Sequence, residues 1–224
     1  MKLIMLPGLD GTGELFEPIV ALLPSEVDVQ VIRFPWNKCM DYESLTSYVM
    51  MNLPDERFVL LAESFSGPIA YQIASIKPAN LQSVIFVATF LESPRRLMLR
   101  LSEFLPRKLL LSSTIPKVLC KAFILGNACN EMLEKFQNII RLMSTEVLDF
   151  RLREMAKLQL RVKPIHIKAL YINASKDMLV PKRYIKKFKQ AFKEINVLEV
   201  EGPHFILQAN PGVCSKIIAN EINL

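Results

Sequence analysis

A chain of 224 residues, 51% of them hydrophobic, is long enough to bury one sizeable core and too short for two independent domains of ordinary size. No stretch reaches the roughly 18 consecutive apolar residues of a membrane span, and the opening Met1-Lys2-Leu3-Ile4-Met5-Leu6-Pro7-Gly8 holds too short an apolar run for a secretory signal, so a cytoplasmic protein is expected. The net charge of +6 comes with no basic patch interleaved with aromatics, which argues against nucleic acid as a partner.

Apolar runs of strand length alternate with helical periodicity along most of the chain. The pattern predicts a buried strand over 2–6, a helix over 13–23 closed by Pro24, a strand over 27–34, and a helix over 42–52 closed by Pro54. A strand over 57–61 then leads through a tight turn into a helix over 68–76, followed by a strand over 81–87. Between 90 and 161 the rhythm breaks, with helical periodicity and no convincing strand. It resumes with a strand over 166–172, a helix over 182–193, a strand over 196–200 and a last helix over 210–220. This βαβ rhythm implies an α/β fold: a mostly parallel sheet of about six strands, right-handed crossovers and helices on both faces.

Ser64 stands where the apolar run Phe58-Val59-Leu60-Leu61 stops and the next helix begins, in the turn Ala62-Glu63-Ser64-Phe65-Ser66-Gly67. So tight a reversal crowds the positions two before and two after its apex, and Ala62 and Ser66 are small enough to fit. The turn lifts the Ser64 hydroxyl above the sheet and aims the first N–H groups of the following helix at whatever it attacks. A serine needs a base and an orienting acid. His204 lies in the loop after the 196–200 strand; the other histidine, His166, starts a strand. Asp177 lies just past the 166–172 strand, and Glu92, after the 81–87 strand, is the competing acid. Ser66 competes with Ser64 for the apex but lacks small neighbours on both sides.

The loop Leu6-Pro7-Gly8-Leu9-Asp10-Gly11-Thr12-Gly13 follows the first strand with three glycines in six residues, which lets backbone N–H groups turn toward a negative charge. It lacks the Gly-Lys-Ser/Thr ending of a phosphate loop, and Phe16 stands where a dinucleotide fingerprint needs its third glycine. Taken together, Pro7-Gly8-Leu9-Asp10-Gly11, the Ser64 turn, Asp177 and His204 resemble the oxyanion loop, nucleophile elbow, acid and base of the α/β-hydrolase family, in that family's chain order. Ala62 and Ser66 replace the two glycines of the common G-x-S-x-G elbow, Pro7 replaces a frequent His, and Glu63 occupies a position where His is common. The resemblance implies a catalytic Ser64-His204-Asp177 triad, an oxyanion hole formed by the backbone N–H groups of Leu9 and Phe65, and no cofactor or metal.

On that basis residues 1–90 and 161–224 form the hydrolase core, and 91–160 a helical cap. The cap segment carries 12 Lys and Arg against 7 Asp and Glu and is rich in Leu and Met. Contact with anionic lipid is one use of such a segment; apolar faces packed on the sheet with solvated lysines is the preferred one. The implied activity is cleavage of a small carboxylic ester or thioester through an acyl-enzyme. The alternatives are acyl transfer from the same intermediate and a catalytically silent ligand-binding scaffold. Cys39, Cys120, Cys129 and Cys214 form no C-x-x-C pair and have only two histidines to join them, so zinc and a disulfide framework are not indicated; four reduced, mostly buried thiols are expected.

Overall fold

Strands buried on both faces read as unbroken apolar runs, and this is what Lys2–Leu6 (β1), Phe58–Glu63 (β3) and Leu81–Val87 (β4) do. In the computed structural model, which describes residues 1–94 and 130–222, they form the centre of a six-stranded sheet. Asp28–Val31 (β2), Lys168–Ala174 (β5) and Ile195–Val200 (β6) complete it, in the order β2-β1-β3-β4-β5-β6. Every neighbouring pair is parallel. The period-two alternation divides the side chains cleanly. Ile4, Leu6, Phe58, Leu60 and Ala62 join one core, while Leu3, Met5, Val59 and Leu61 join the other.

Helices cover both faces. Tyr42–Met50 (α2), Gly67–Ile76 (α3) and Ile185–Ala191 (α6) pack on the first core; Glu17–Val20 (α1), Ile206–Ala209 (α7) and Pro211–Glu221 (α8) pack on the second. Two more helices, Asn130–Leu142 (α4) and Thr145–Lys157 (α5), fall within the segment expected to form the cap. Residues 91–93 and 158–160 are stitched together at its base, by an antiparallel bridge between Glu92 and Gln159 and by the bonds from Ser93 N to Leu158 O and Leu160 N to Leu91 O. α4 sets Met132, Leu133 and Ile139 against Leu15 and Phe205, with Phe136 edge-on to Phe205 at 5.3 Å. The remainder of the proposed cap, with Cys120 and Cys129, lies outside the described residues.

Four expected elements are shorter than their patterns: the helix over 42–52 ends at Met50, and the other three have evident local causes. The 13–23 segment breaks into a 3-10 turn, Glu14–Phe16, and the single-turn α1, because Pro18 has no N–H to bond back to Glu14. The 182–193 segment starts as a 3-10 turn, Lys182–Tyr184, and α6 stops at Ala191, since Phe192 is extended and bridges Ile165. β2 ends at Val31 because Phe34 N bonds Gly11 O at 2.8 Å, drawing the chain toward the glycine-rich loop. Among the described residues no helix is long and apolar enough to cross a membrane. Of the two described cysteines, Cys214 is buried, and burial pushes its thiol up to about 12; Cys39 is exposed, so burial is not shared by both.

Candidate active site

The chain goes from β1 outward to β2, then returns to place β3 on the other side of β1, so the connections leaving the carboxyl ends of β1 and β3 diverge. A crevice at such a switch point is where parallel α/β sheets bind ligands. The glycine-rich loop leaves β1 there and Ser64 leaves β3. A side chain begun at Gly8 would stand 3.9 Å from the Ser64 Cβ, so the loop passes directly over the serine.

Ser64 adopts φ 50°, a left-handed conformation unusual for a residue with a Cβ, and so carries backbone strain at the apex. Three contacts enforce it. The Ser66 hydroxyl donates to Pro7 O, tying the elbow to the loop over it, and the Thr89 hydroxyl donates to Ser64 O. Thr89 is itself held by Tyr171, whose hydroxyl accepts from Thr89 N at 3.1 Å and donates to Thr89 O at 2.7 Å. Gly67 completes the fit, because any Cβ there would run into the Thr89 side chain. Gly67→Ala is therefore expected to destabilise the fold by about 1–3 kcal/mol, the usual cost of overpacking, read by urea denaturation. An unchanged midpoint would mean that Thr89 moves aside freely.

Asp177 and His204 lie in neighbouring loops after β5 and β6. Ser175 N bonds Val200 O and Lys176 N bonds Gly202 O, each at 2.9 Å, which holds the two loops in register. Asp177 Oδ1 accepts the N–H groups of Leu179 and Val180, both at 2.8 Å, at the start of the turn that Pro181 follows. That leaves Oδ2 for His204 Nδ1 at 2.7 Å, and both side chains are only 3% exposed. A carboxylate only accepts hydrogen bonds, so the imidazole carries its proton on Nδ1 and turns a bare Nε2 toward Ser64 Oγ, 2.9 Å away. The hydroxyl donates to that nitrogen. The three side chains thus touch in series, and among the described residues no group of three or more His, Cys, Asp or Glu is placed to hold a metal.

The competing residues lie elsewhere. Glu92 pairs with Lys187 at 3.0 Å with its side chain 46% exposed, and His166 is exposed at the opposite end of β5. Ser66 is fully buried against Pro7. Leu9 and Phe65, named for the oxyanion N–H groups, sit on the two segments that meet at Ser64. Sequence reasoning missed Thr89, Arg151 and Gln208. Thr89 and Arg151 act through backbone carbonyls distant in sequence, and Gln208 contacts Glu63, which is 145 residues earlier.

No protein-family model and no curated protein sequence matches the chain. Solved structures do match it. An esterase from Exiguobacterium antarcticum superposes with a TM-score of 0.82 at 15% identity, covering 100% of this chain and 92% of its own. MenH from S. aureus gives 0.77 at 14% identity, covering 98% and 92%. A thioesterase from the prodiginine pathway of Streptomyces coelicolor gives 0.69 at 16% identity, covering 98% and 84%. With its six-stranded parallel sheet, helices on both faces and these likenesses over nearly its whole length, the chain has the α/β-hydrolase fold.

Proposed function

We propose that the chain is a serine hydrolase that cleaves small carboxylic esters or thioesters. The observation that carries this reading is the unbroken contact series from Ser64 Oγ to His204 Nε2, at 2.9 Å, and from His204 Nδ1 to Asp177 Oδ2, at 2.7 Å. As Ser64 Oγ attacks a carbonyl carbon, its proton passes to Nε2, and Asp177 stabilises the imidazolium. The carbonyl oxygen becomes an oxyanion and takes hydrogen bonds from the N–H groups of Leu9 and Phe65. Collapse breaks the bond to the leaving alcohol or thiol, which takes the proton from His204. Water then adds to the acyl-enzyme, giving its proton to the same nitrogen, and the second collapse returns Ser64 and releases the acid.

The esterase and the thioesterase among the matched structures support the substrate class. A fluorophosphonate probe is expected to label the wild type and to leave Ser64→Ala unlabelled. A screen of p-nitrophenyl and CoA esters of increasing acyl length should then find activity rising toward medium chains. A folded wild type that the probe does not label would overturn the proposal in favour of a silent scaffold.

A further inference from the structure

We propose that Arg151 is a positioning residue for the oxyanion-binding backbone, clamping the Leu9 and Phe65 segments together. This inference rests on the hydrolase reading given above. Arg151 projects from α5 and is 2% exposed, the largest fully buried side chain in the molecule's described part. Its Nη1 donates to Leu9 O at 2.7 Å and its Nη2 donates to Pro35 O at 3.1 Å. Its guanidinium carbon lies 5.9 Å from the centre of the Phe65 ring and 5.7 Å from that of Phe34. Phe65 is further held by stacking on Tyr42, with ring centres 4.9 Å apart. One planar cation therefore contacts both residues whose N–H groups are assigned to the oxyanion.

The geometry explains how the clamp acts. Anchoring the Leu9 carbonyl holds the Leu9–Asp10 peptide plane and so limits the swing of the adjoining Gly8–Leu9 peptide, which bears the Leu9 N–H. Cation–π contact on Phe65 holds the side chain of the residue that carries the second N–H. A donor is useful only when it already points at the place where charge develops, so small rotations of either peptide matter.

Stability alone is a poor reason for this arginine. Taking a guanidinium out of water is costly, and an apolar side chain of similar volume often does as well or better. The buried Asp10, in the same loop, favours its charge but makes no salt bridge with it, and its hydrogen-bond partners are neutral carbonyls. The glycine-rich loop is moreover shaped to admit it: a Cβ on Gly11, at φ 75°, would come within 2.5 Å of Arg151 Nη1. Part of the glycine content of the loop thus makes room for the clamp, and the fork geometry that reaches two carbonyls at once is one that Lys cannot reproduce.

The test measures kcat and KM for p-nitrophenyl ester hydrolysis, and the inhibition constant of phenylboronic acid, whose boron binds the serine oxygen as a tetrahedral anion. Arg151→Met is expected to lower kcat about 100-fold with KM within about threefold of wild type, and to weaken phenylboronic acid by a similar factor. Arg151→Lys should recover about tenfold of the lost kcat, as one of the two carbonyl anchors is restored. Circular dichroism checks that each variant is folded; if Arg151→Met does not fold, the roughly tenfold deficit of Arg151→Lys, matched in the boronic acid, carries the test. A loss confined to KM, a loss of kcat with unchanged boronic acid binding, or no loss in either variant overturns the inference while the hydrolase reading stands. A folded wild type that turns over no ester or thioester and takes no fluorophosphonate label sinks that reading, and the inference with it.

Discussion

Asp177→Asn is expected to slow ester hydrolysis about 10,000-fold while leaving the protein folded, which is the size of effect produced when the orienting acid of such a triad becomes an amide. The Asn carbonyl oxygen can still accept the N–H groups of Leu179 and Val180, as Asp177 Oδ1 does at 2.8 Å, so the turn survives. The amide nitrogen then faces His204 Nδ1 where Oδ2 stood at 2.7 Å. It is a donor, so it selects the imidazole tautomer with its proton on Nε2, aimed at Ser64 rather than open to receive the serine proton. Initial rates on p-nitrophenyl esters at pH 7 to 8 check this. Glu92→Gln, changed in parallel, is expected to alter the rate less than twofold, because Glu92 pairs with Lys187 away from the histidine. A tenfold or smaller loss in Asp177→Asn would show that the orientation of His204 does not depend on this carboxylate.

The second large effect is on stability and concerns Glu63, the residue before Ser64. Its carboxyl is 2% exposed, and burial pushes it up from 4.5 to about 7, an effect that His204 and a bond from Gln208 Nε2 at 3.4 Å partly offset. Glu63 Oε1 and Gln208 Oε1 are both buried without a partner among the described residues. An ionised carboxyl would add charge where no further donor answers it, so burial favours the neutral form.

The sign of the pH dependence follows directly. Below pH 4.5 Glu63 is protonated in both folded and unfolded chains and costs nothing. As pH rises from 4.5 to about 7 the unfolded chain ionises first, so the folded state loses stability relative to it, and the loss is complete above about 7. Glu63→Gln keeps the shape and removes the titration. The variant is therefore expected to gain about 3 kcal/mol on the wild type between pH 4.5 and pH 8. Urea denaturation of both proteins across that range is the measurement, and a difference that stays constant with pH would contradict a neutral buried Glu63.

The elements that matched their patterns best are those with local punctuation. β4 runs from Leu81 to Val87 as its apolar run predicts, bounded by Pro78 on one side and by Ala88, at φ 45°, on the other. The 13–23 segment did not, because one proline inside a helical pattern decides where the hydrogen-bond ladder can start. β3 ran two residues past its apolar core to Glu63, since parallel pairing with β4 continues to Val87. The residues around Ser64 were legible for a similar reason: small side chains on either side of the apex are a local steric requirement.

What the order of residues determined by itself was the alternation of buried strands and helices, and with it the loops in which Ser64, Asp177 and His204 had to lie. Periodicity and turn chemistry are short-range properties, so they are written in contiguous residues. Folding alone decided that a hydroxyl and an imidazole 140 positions apart stand 2.9 Å from one another. It also decided that Arg151 reaches a carbonyl 142 positions earlier and that Glu63 is sealed from water beside Gln208. Distances and solvent exclusion of that kind arise from the packing of the whole sheet and its helices, and no local pattern carries them.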